Sequence, residues 1–401
     1  MKNVIFFLVL AVSVSVSAQN IGCDGSRYVA STFTDVTTTT VQFGANTNLL
    51  GQTQDLFMDI YEPTGDLLAH RPLLILAHGG SFVGGTRQEL DATCREYAQK
   101  GYVTATVDYR LWPIIFGFPD STDILGVTVS AVHDLKAAVR YFYGDASFYD
   151  LYRVDTNYVI IGGYSAGAIA ALHMAYMDDN DEVTPQIQAV IDGLGGLEGS
   201  SGNASYSSKV HGALSFSGAL HKSAWMSAGE VPLVSVHGTG DATVPYTYGV
   251  ANFVISVEGS GVLQQRANEL GIPNMLYSIL GGGHVNIYTE ALYAPQREEF
   301  SYLCSAFLHD TIICPGIVLG QNDPTNLSNL TVSPNPATDL VGVKVPAQAD
   351  ALVVTDLMGR TLQTFSAQTT HINVADWSAG IYILVATQHG AVVGSTRIQK
   401  L

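Results

Sequence analysis

The sequence contains few charged residues, and basic residues are the scarcest of them. Charged residues make up only 13% of the 401-residue chain, and 35 of them are acidic against 18 that are basic, which gives a net charge of −17. This deficit of positive charge argues against nucleic acid or an anionic membrane as a partner. An apolar content of 47% argues equally against global disorder.

Long apolar runs are also scarce, and beyond the N terminus no stretch is long and apolar enough to span a bilayer. At the N terminus, Lys2 precedes an apolar stretch from Val4 to Val16, and Val16-Ser17-Ala18 has the small residues of a cleavage site. The stretch is too short and too interrupted by serine for a transmembrane anchor. We therefore predict that residues 1–18 are a secretory signal peptide, cleaved before Gln19.

Cysteine is rare but even in number: Cys23, Cys94, Cys304 and Cys314. In an exported protein this predicts two disulfides, and the four cysteines allow three pairings. Cys94 falls on the first large predicted helix and Cys304 on the last, so a bond between these two is one candidate. The wide spacing does not resemble a zinc site, and we predict no metal or cofactor.

Apolar strands alternate with helical stretches through the first three quarters of the chain. After a β-rich segment at 20–62, the predicted buried strands are 73–77, 102–107, 159–161, 213–216, 232–236 and 275–279. The predicted helices are 87–100, 124–143, a small-residue helix from about 166, 247–257, 261–270 and 290–308. This order predicts an α/β fold with a mostly parallel central sheet flanked by helices. Right-handed crossovers place the C-terminal ends of its strands at one edge, where ligands bind.

One strand, the run from Val159 to Ile161, leads directly into Gly163-Tyr164-Ser165-Ala166-Gly167 and then into the small-residue helix. A serine between strand and helix lies on a sharp, strained turn that lifts its hydroxyl clear of the backbone. The flanking glycines fit this turn because a side chain at either place would collide with the strand or the helix. We predict that Ser165 is a nucleophile.

Two further residues complete a catalytic pattern. A serine hydroxyl needs a base to take its proton, and the base needs an acid to orient it. In a strand–helix architecture of this kind the acid and the histidine follow the serine in that order, each after a strand. Asp241 follows the strand at 232–236, and His284 follows the strand at 275–279 within a glycine-rich loop. The sequence therefore predicts a Ser165–His284–Asp241 triad.

Other residues compete for these roles or surround them. Asp192 is the alternative acid, although it precedes the strand at 213–216. His78 and His237 lie at strand ends next to glycines, and we predict that they brace loops. Residues 192–206 are rich in glycine and serine, and we predict a mobile loop near the site.

Backbone N–H groups are predicted to form an oxyanion hole. Ala166, the residue after the nucleophile, supplies one N–H group. The loop that follows the strand at 73–77, His78-Gly79-Gly80-Ser81, supplies others from Gly80 and Ser81, because glycine lets the backbone approach a substrate closely. Such donors stabilise the charge that develops on a carbonyl oxygen.

Aromatic residues near the predicted site are candidates for a substrate pocket. These are Tyr164, Trp112, Phe116 and Tyr246, with Phe118 in the same Trp-, Pro- and Phe-rich loop as Trp112. A role in the core is an equally good interpretation for them. We predict a substrate pocket lined by Tyr164, Trp112, Phe116 and Tyr246.

This combination of motifs resembles the α/β-hydrolase fold. The HGG-type oxyanion loop and the G-x-S-x-G turn resemble those of carboxylesterases and hormone-sensitive-lipase-like esterases, and Asp108-Tyr109-Arg110-Leu111 is also similar to that group. The resemblance covers about residues 30–310. Two residues depart from it: Ser81 stands where many relatives have a third glycine, and Tyr164 stands where an acidic residue is common.

A second resemblance concerns the stretch that carries Asp241. His237-Gly238-Thr239-Gly240-Asp241 with Val244-Pro245-Tyr246 is similar to feruloyl esterases and polyester depolymerases, and also to prolyl-oligopeptidase-like peptidases. The resemblance implies a serine carboxylic-ester hydrolase, with polysaccharide-linked and polymeric esters among its candidate substrates. A secreted serine peptidase and a non-catalytic surface binding protein are the alternatives.

The last part of the chain has a different texture. We predict a catalytic domain at 19–315, a linker at 316–329 and a small β-sandwich at 330–401, where short β-segments alternate with turns. Ser333-Pro334-Asn335-Pro336-Ala337 and the final Lys400-Leu401 resemble the sorting domain of the Bacteroidetes type IX secretion system. Two further matching segments lie between them, Asp356-Leu357-Met358-Gly359-Arg360 and Gly380-Ile381-Tyr382. The resemblance implies a partnership with that machinery and a secreted or cell-surface location.

Overall fold

A computed structural model describes residues 22–251, 255–315, 330–345, 349–356, 361–388 and 391–400. The predicted signal peptide (1–18) and linker (316–329) lie outside the described residues, so both remain predictions. Within the described part of the chain, no helix combines the length and the apolar character that crossing a membrane requires.

The first part of the chain is built on one eight-stranded sheet with the order β1-β2-β4-β3-β5-β6-β8-β11. Its strands and those of a smaller sheet are β1 (Val36–Thr47), β2 (Thr53–Pro63), β3 (Arg71–Ala77), β4 (Val103–Val107), β5 (Val154–Tyr164), β6 (Gly212–Phe216), β7 (Ala219–Leu220), β8 (Leu233–Gly238), β9 (Tyr248–Ala251), β10 (Ile255–Gly259) and β11 (Asn274–Ile279). β2 pairs antiparallel with both β1 and β4, and every other pair in this sheet is parallel. The prediction of a mostly parallel central sheet is confirmed.

Helices cover both faces of this sheet. They are α1 (Asp91–Gln99), α2 (Ser121–Phe148), α3 (Ala166–Tyr176), α4 (Pro185–Gly193), α5 (Ser260–Leu270), α6 (Asn286–Thr289) and α7 (Ala294–Leu308). Short 3₁₀ turns lie at Arg87–Leu90, Ile114–Phe116, Ser223–Trp225 and Ala291–Tyr293, and one π-helical turn lies at His309–Ile313.

The central strand β3 explains how two cores form on one sheet. Its residues Leu73, Leu74, Ile75 and Leu76 are all fully buried. Because side chains alternate along a strand, Leu73 and Ile75 join the cluster beneath α2 and α3, while Leu74 and Leu76 join the cluster beneath α1 and α7. A continuous apolar run is the pattern of a strand covered on both faces.

The predicted helix at 247–257 is wrong. β9 and β10 pair antiparallel there and form a three-stranded sheet with β7. Gly249 weakens a helix, whereas the β-branched Val250 and Val257 favour a strand.

The segment predicted as a mobile loop, 192–206, begins inside α4 and is then tied to α2. Arg140 donates to the carbonyl of Gly202, and Ser201 donates to Asp134. These bonds fasten the segment to the long helix.

The prediction of two disulfides is also wrong. One bond joins Cys23 to Cys314, with Cα atoms 5.9 Å apart, and Cys94 and Cys304 are free. Both free thiols are buried in the apolar cluster beneath α1 and α7, where cysteine packs as a small apolar residue. Burial raises the pKa of Cys94 and raises that of Cys304 to about 12, so both thiols stay protonated.

The C-terminal part is all-β, as predicted. Its strands are β12 (Thr331–Ser333), β13 (Leu340–Lys344), β14 (Ala351–Thr355), β15 (Thr361–Ser366), β16 (His371–Asn373), β17 (Gly380–Gln388) and β18 (Ala391–Lys400). They form two antiparallel sheets, β12-β13-β16 and β15-β14-β17-β18. Alternate residues such as Val341, Leu352 and Leu384 are fully buried in its core.

Candidate active site

Ser165 occupies the sharp turn between β5 and α3. Its φ of 54° lies in the left-handed region, which is strained for a residue with a side chain. A Cβ atom on Gly163 would lie 2.5 Å from the carbonyl oxygen of Ala77, and one on Gly167 would lie 2.1 Å from the same oxygen. The close approach of β3, β5 and α3 therefore requires both glycines.

Three residues from different strand ends meet at this turn. The hydroxyl of Ser165 lies 2.8 Å from Nε2 of His284, and Nδ1 of His284 lies 2.6 Å from Oδ2 of Asp241. An ionised carboxylate can only accept, so Nδ1 carries the proton and Nε2 accepts from the serine hydroxyl. The structure thus brings together the three residues of the predicted triad in the geometry of a nucleophile, its base and an orienting acid.

Asp241 is held by several donors. Its Oδ1 accepts from the N–H groups of Thr243 and Val244 at 2.8 and 2.9 Å, and Nε2 of His237 lies 3.2 Å from its Oδ2. Burial raises the pKa of Asp241, but the hydrogen bonds from His237 and His284 outweigh burial and hold this pKa well below its usual value. The carboxylate therefore stays charged at neutral pH.

The two other histidines near strand ends brace loops. His237 is fully buried, and its Nδ1 lies 2.9 Å from the hydroxyl of Ser260. His78 contacts the carbonyl of Gly79 through Nδ1 and stacks on Tyr109, with ring centroids 4.3 Å apart. Neither histidine contacts Ser165 by a hydrogen bond.

The alternative acid lies elsewhere. Asp192 is exposed on α4, where its Oδ1 accepts from Gln188 at 2.8 Å. Because Asp241 already contacts the Nδ1 atom of His284, the geometry favours Asp241 as the acid.

The predicted oxyanion loop lies against the nucleophile. A Cβ atom on Gly79 would lie 2.8 Å from the ring of Tyr164 and 3.3 Å from Cβ of Ser165. Gly80, with a φ of 104°, begins a tight turn in which a Cβ atom would lie 2.1 Å from the carbonyl of Gly84. Ser81 and Ala166 line the same cavity as Ser165. Ala166 also opens α3, where N–H groups have no acceptor within the helix.

The cavity at Ser165 is small and apolar. Its other lining residues are Phe82, Ile124, Ile169, Val244, Ala251 and Ile255. Four of these also line an adjoining apolar pocket that reaches Trp225 and His173. Sequence reasoning missed these residues, although two had signals: Phe82 directly follows the predicted oxyanion loop, and Ile169 lies one helical turn after Ser165.

The predicted aromatic pocket does not form at this cavity. Trp112 packs partly into the core and donates from Nε1 to the carbonyl of Gly117, while Phe116 and Phe118 are exposed. The hydroxyl of Tyr246 lies 2.6 Å from that of Ser278. None of these residues lines the space next to Ser165, because the chain turns them into the core or outward to solvent.

Tyr164 has a different position from the one predicted. Its hydroxyl donates to the backbone carbonyl of His284 at 2.8 Å, and its ring stacks on the imidazole with centroids 5.4 Å apart. It lines a separate cleft of about 350 Å³ between α1 and α7, together with Gly79 and Val285. Burial raises the pKa of Tyr164, so its hydroxyl keeps its proton and can donate.

Among the described residues, one group of side chains has the spacing of metal ligands: Cys23, His309 and Cys314. Its two sulfur atoms are joined in the disulfide and are not thiolate ligands in this state. The group contains no residue of the Ser165 site.

Comparisons with known families identify both parts of the chain. Residues 58–252 match the BD-FAE family model, and residues 331–399 match the model described as the secretion system C-terminal sorting domain. The first part of the chain is therefore similar to esterase-like α/β-hydrolase domains of the BD-FAE family, and the last part is similar to secretion sorting domains. No curated protein matches the sequence significantly.

Solved structures show the same fold. Thermogutta terrifontis esterase 2 phosphorylated by paraoxon is 18% identical, with a TM-score of 0.52 over 69% of this chain and 96% of that chain. The apo form of the same esterase is 19% identical, with a TM-score of 0.51 over 68% and 94% of the two chains. At this level of identity the likeness shows the α/β-hydrolase fold alone.

Proposed function

We propose that this chain is a serine carboxylic-ester hydrolase that works through an acyl-enzyme on Ser165. The observation that carries the proposal is the unbroken chain of contacts from Ser165 Oγ through His284 to Asp241, at 2.8 and 2.6 Å. The BD-FAE match supports ester chemistry.

In the first half of the reaction, Ser165 Oγ attacks the ester carbonyl carbon while its proton passes to Nε2 of His284. The carbonyl oxygen becomes negative and accepts hydrogen bonds from the N–H groups of Ala166 and of Gly80 and Ser81. The bond from carbon to the alcohol oxygen then breaks, and His284 returns the proton to the leaving alcohol. Asp241 keeps the imidazole in the productive tautomer.

In the second half, water takes the place of the serine as nucleophile. His284 removes a proton from the water as its oxygen attacks the acyl carbon, and the bond to Ser165 Oγ breaks as the proton returns to the serine. The acid product leaves and the enzyme is restored.

The space near Ser165 favours a compact, apolar acyl group. The side chains of Phe82, Ile124, Ile169 and Ile255 enclose it and lead into the adjoining apolar pocket. Burial of each methylene there contributes about 0.8 kcal/mol, which favours apolar acyl chains until the pocket is full.

The experiment is to replace Ser165 with Ala and measure turnover of a soluble p-nitrophenyl ester. Loss of the nucleophile is expected to reduce kcat by about three orders of magnitude or more. Ser205→Ala, which changes an exposed loop serine, is the matched control and is expected to leave the rate unchanged. A Ser165→Ala rate close to wild type would contradict the proposal, and faster turnover of peptide than of ester chromogens would favour a peptidase.

We also propose that the C-terminal domain sends the protein through the type IX secretion machinery to the cell surface or the medium. The sorting-domain match at 331–399 supports this route. In a host with this machinery, deletion of residues 330–401 is expected to leave the protein inside the cell envelope. Equal amounts of the intact and truncated proteins outside the cell would contradict the proposal.

A further inference from the structure

The loop after β4 is an apolar surface. Residues 111–119 read Leu-Trp-Pro-Ile-Ile-Phe-Gly-Phe-Pro, without a charged or hydrogen-bonding side chain other than the Trp112 indole. Ile115 and Phe118 are 76% and 86% exposed, and Ile114 and Phe116 are more than half exposed. Surface loops are normally polar, and a cluster of exposed apolar side chains marks an interaction surface.

This loop is firmly held. Trp112 Nε1 donates to the carbonyl of Gly117 at 2.9 Å, and the ring of Phe116 packs edge-on against the Trp112 ring. Asp120 and Asp123 form a capping box that starts α2 directly after it. The exposed side chains therefore lie on a turn whose conformation is fixed by these contacts.

The loop lies next to residues that line the Ser165 cavity. The N–H group of Trp112 donates to the carbonyl of Phe82 at 2.7 Å, and Phe82 lines that cavity together with Ile124 of α2. Val285, next to the base in sequence, is also more than half exposed and adds apolar surface to the loop of His284. Phe82 and Ile124 thus connect the exposed loop to the wall of the Ser165 cavity, while the side chains of 111–119 stay outside that cavity.

We propose that residues 111–119 dock the enzyme onto a fluid, uncharged ester phase, such as an emulsion of short-chain acylglycerol, and deliver substrate from it to Ser165. This proposal rests on the ester hydrolase function and adds the physical state of the substrate. Docking places the mouth of the apolar cavity at the surface of the insoluble phase, so an acyl chain passes from one apolar environment to another.

The charge and the area of this surface favour an uncharged liquid ester over an anionic membrane or a second copy of the chain. The loop has no lysine or arginine, and the carboxylates of Asp120 and Asp123 lie at its end. The whole chain has a net charge of −17. An anionic membrane would therefore be repelled. Four protruding side chains offer at most a few hundred Å². A stable interface with a second copy needs about 800 Å² per partner. Side chains that stand out from the surface suit a liquid, which they can enter, better than a flat solid.

The first experiment measures docking without catalysis. Full-length Ser165→Ala protein is mixed with emulsified tributyrin, the phases are separated, and the protein left in the water is measured. Adding Ile115→Ser and Phe118→Ser is expected to lower partition into the emulsion about tenfold or more, because the apolar transfer of both side chains is lost. Leu67→Ser with Leu151→Ser is the matched control: both leucines are exposed and precede β3 and β5, at the opposite end of the sheet.

The second experiment measures turnover in the protein with Ser165 intact. The loop double variant is expected to lose about tenfold in rate on emulsified tributyrin and to stay within twofold of wild type on dissolved p-nitrophenyl acetate. Failure of the ester hydrolase proposal would appear separately, as equal turnover by wild type and Ser165→Ala, while the partition measurement still tests docking. Thermal unfolding and gel filtration of both double variants control for fold and assembly.

Several results would overturn the docking proposal. These are unchanged partition of the loop variant, preferential binding of wild type to anionic vesicles or to a solid polyester film, and a wild-type dimer that the loop substitutions dissociate. The loop double variant could also lose as much rate on the dissolved ester as on the emulsion, with an unchanged unfolding temperature. That result would indicate that the loop belongs to the acyl pocket and does not dock onto the emulsion. If the double variant unfolds, Ile115→Gln and Phe118→Gln are measured singly against the same criteria.

Discussion

Nε2 of His237, a fully buried histidine, lies 3.2 Å from the same Asp241 oxygen that contacts His284. This Nε2 also lies 3.0 Å from the carbonyl of Val244, while the hydroxyl of Ser260 approaches Nδ1. A carbonyl and a carboxylate both accept, so Nε2 carries the proton and Nδ1 accepts from the serine. His237 therefore donates to the carboxylate of Asp241, and we expect it to position this acid of the proposed triad.

Replacing His237 with Leu is expected to lower kcat/KM about ten- to a hundredfold, because a hydrogen bond to a charged group is lost. With less of its charge compensated, Asp241 should stabilise the protonated base more strongly, so the acid limb of kcat/KM should move to higher pH. His237→Gln, whose amide N–H can donate, should recover part of the rate. A rate loss without movement of the acid limb would indicate a purely structural role.

The acid limb itself should come from the base alone. The pKa of Asp241 is held below its usual value, so its carboxylate stays charged as the pH falls through 6 and 5. A protonated imidazole cannot accept the serine proton, whereas the carboxylate of the acid keeps its charge over this range. We expect the acid limb of kcat/KM to follow a single protonation. Two protonations in that limb would contradict an acid that stays charged.

Tyr164 is expected to position the base from the other side. Tyr164→Phe keeps the stacked ring and removes only the bond to the carbonyl of His284, so kcat should fall about three- to thirtyfold while KM stays constant. Tyr176→Phe is the matched control, since its hydroxyl also donates to a backbone carbonyl, that of Val231, within a different cluster. Equal kcat losses in the two variants would contradict a role of Tyr164 in positioning His284.

The cysteine pairing predicts how many free thiols the protein has in its native, unfolded and reduced states. Thiol titration of the native protein should detect no rapidly reacting group, because Cys94 and Cys304 are buried and burial raises their pKa. Unfolding without reductant should expose two thiols, and unfolding with reductant followed by its removal should expose four. No thiol in the unreduced, unfolded protein would indicate a second disulfide and contradict the structure.

The same disulfide should stabilise the fold. It closes a loop of 291 residues between Cys23 and Cys314, so Cys314→Ser is expected to cost about 2–5 kcal/mol in the free energy of unfolding. Denaturant titrations of the variant and of the reduced wild type should agree. Unchanged stability in both would contradict the expectation.

The sheet and the meeting of Ser165, Asp241 and His284 could be predicted because both follow from chain order. Apolar runs such as 73–77 identify buried strands, and right-handed crossovers bring their C-terminal ends to one edge. Residues placed directly after those strands must then lie close together. The glycines around Ser165 add a steric signal, since the backbone of β3 leaves no room for a Cβ atom.

The pocket and the cysteine pairing could not be predicted in this way because they depend on side-chain packing between distant segments. Trp112 follows a strand, as Ser165, Asp241 and His284 do, yet its indole N–H donates to the carbonyl of Gly117 within its own loop. Ile255, in a segment predicted as helix, reaches the Ser165 cavity only because β10 forms. Cys94 and Cys304 gave no sequence signal that they would pack as free thiols.

The most direct test of the central claim is covalent capture with paraoxon, which transfers a diethyl phosphoryl group to an activated serine and releases p-nitrophenolate. The full-length protein is expected to release one equivalent of p-nitrophenolate and to carry the phosphoryl group on Ser165, located by mass spectrometry of its peptides. Ser165→Ala should release none above background. Labelling at another residue, or equal labelling of the Ser165→Ala variant, would contradict Ser165 as the nucleophile.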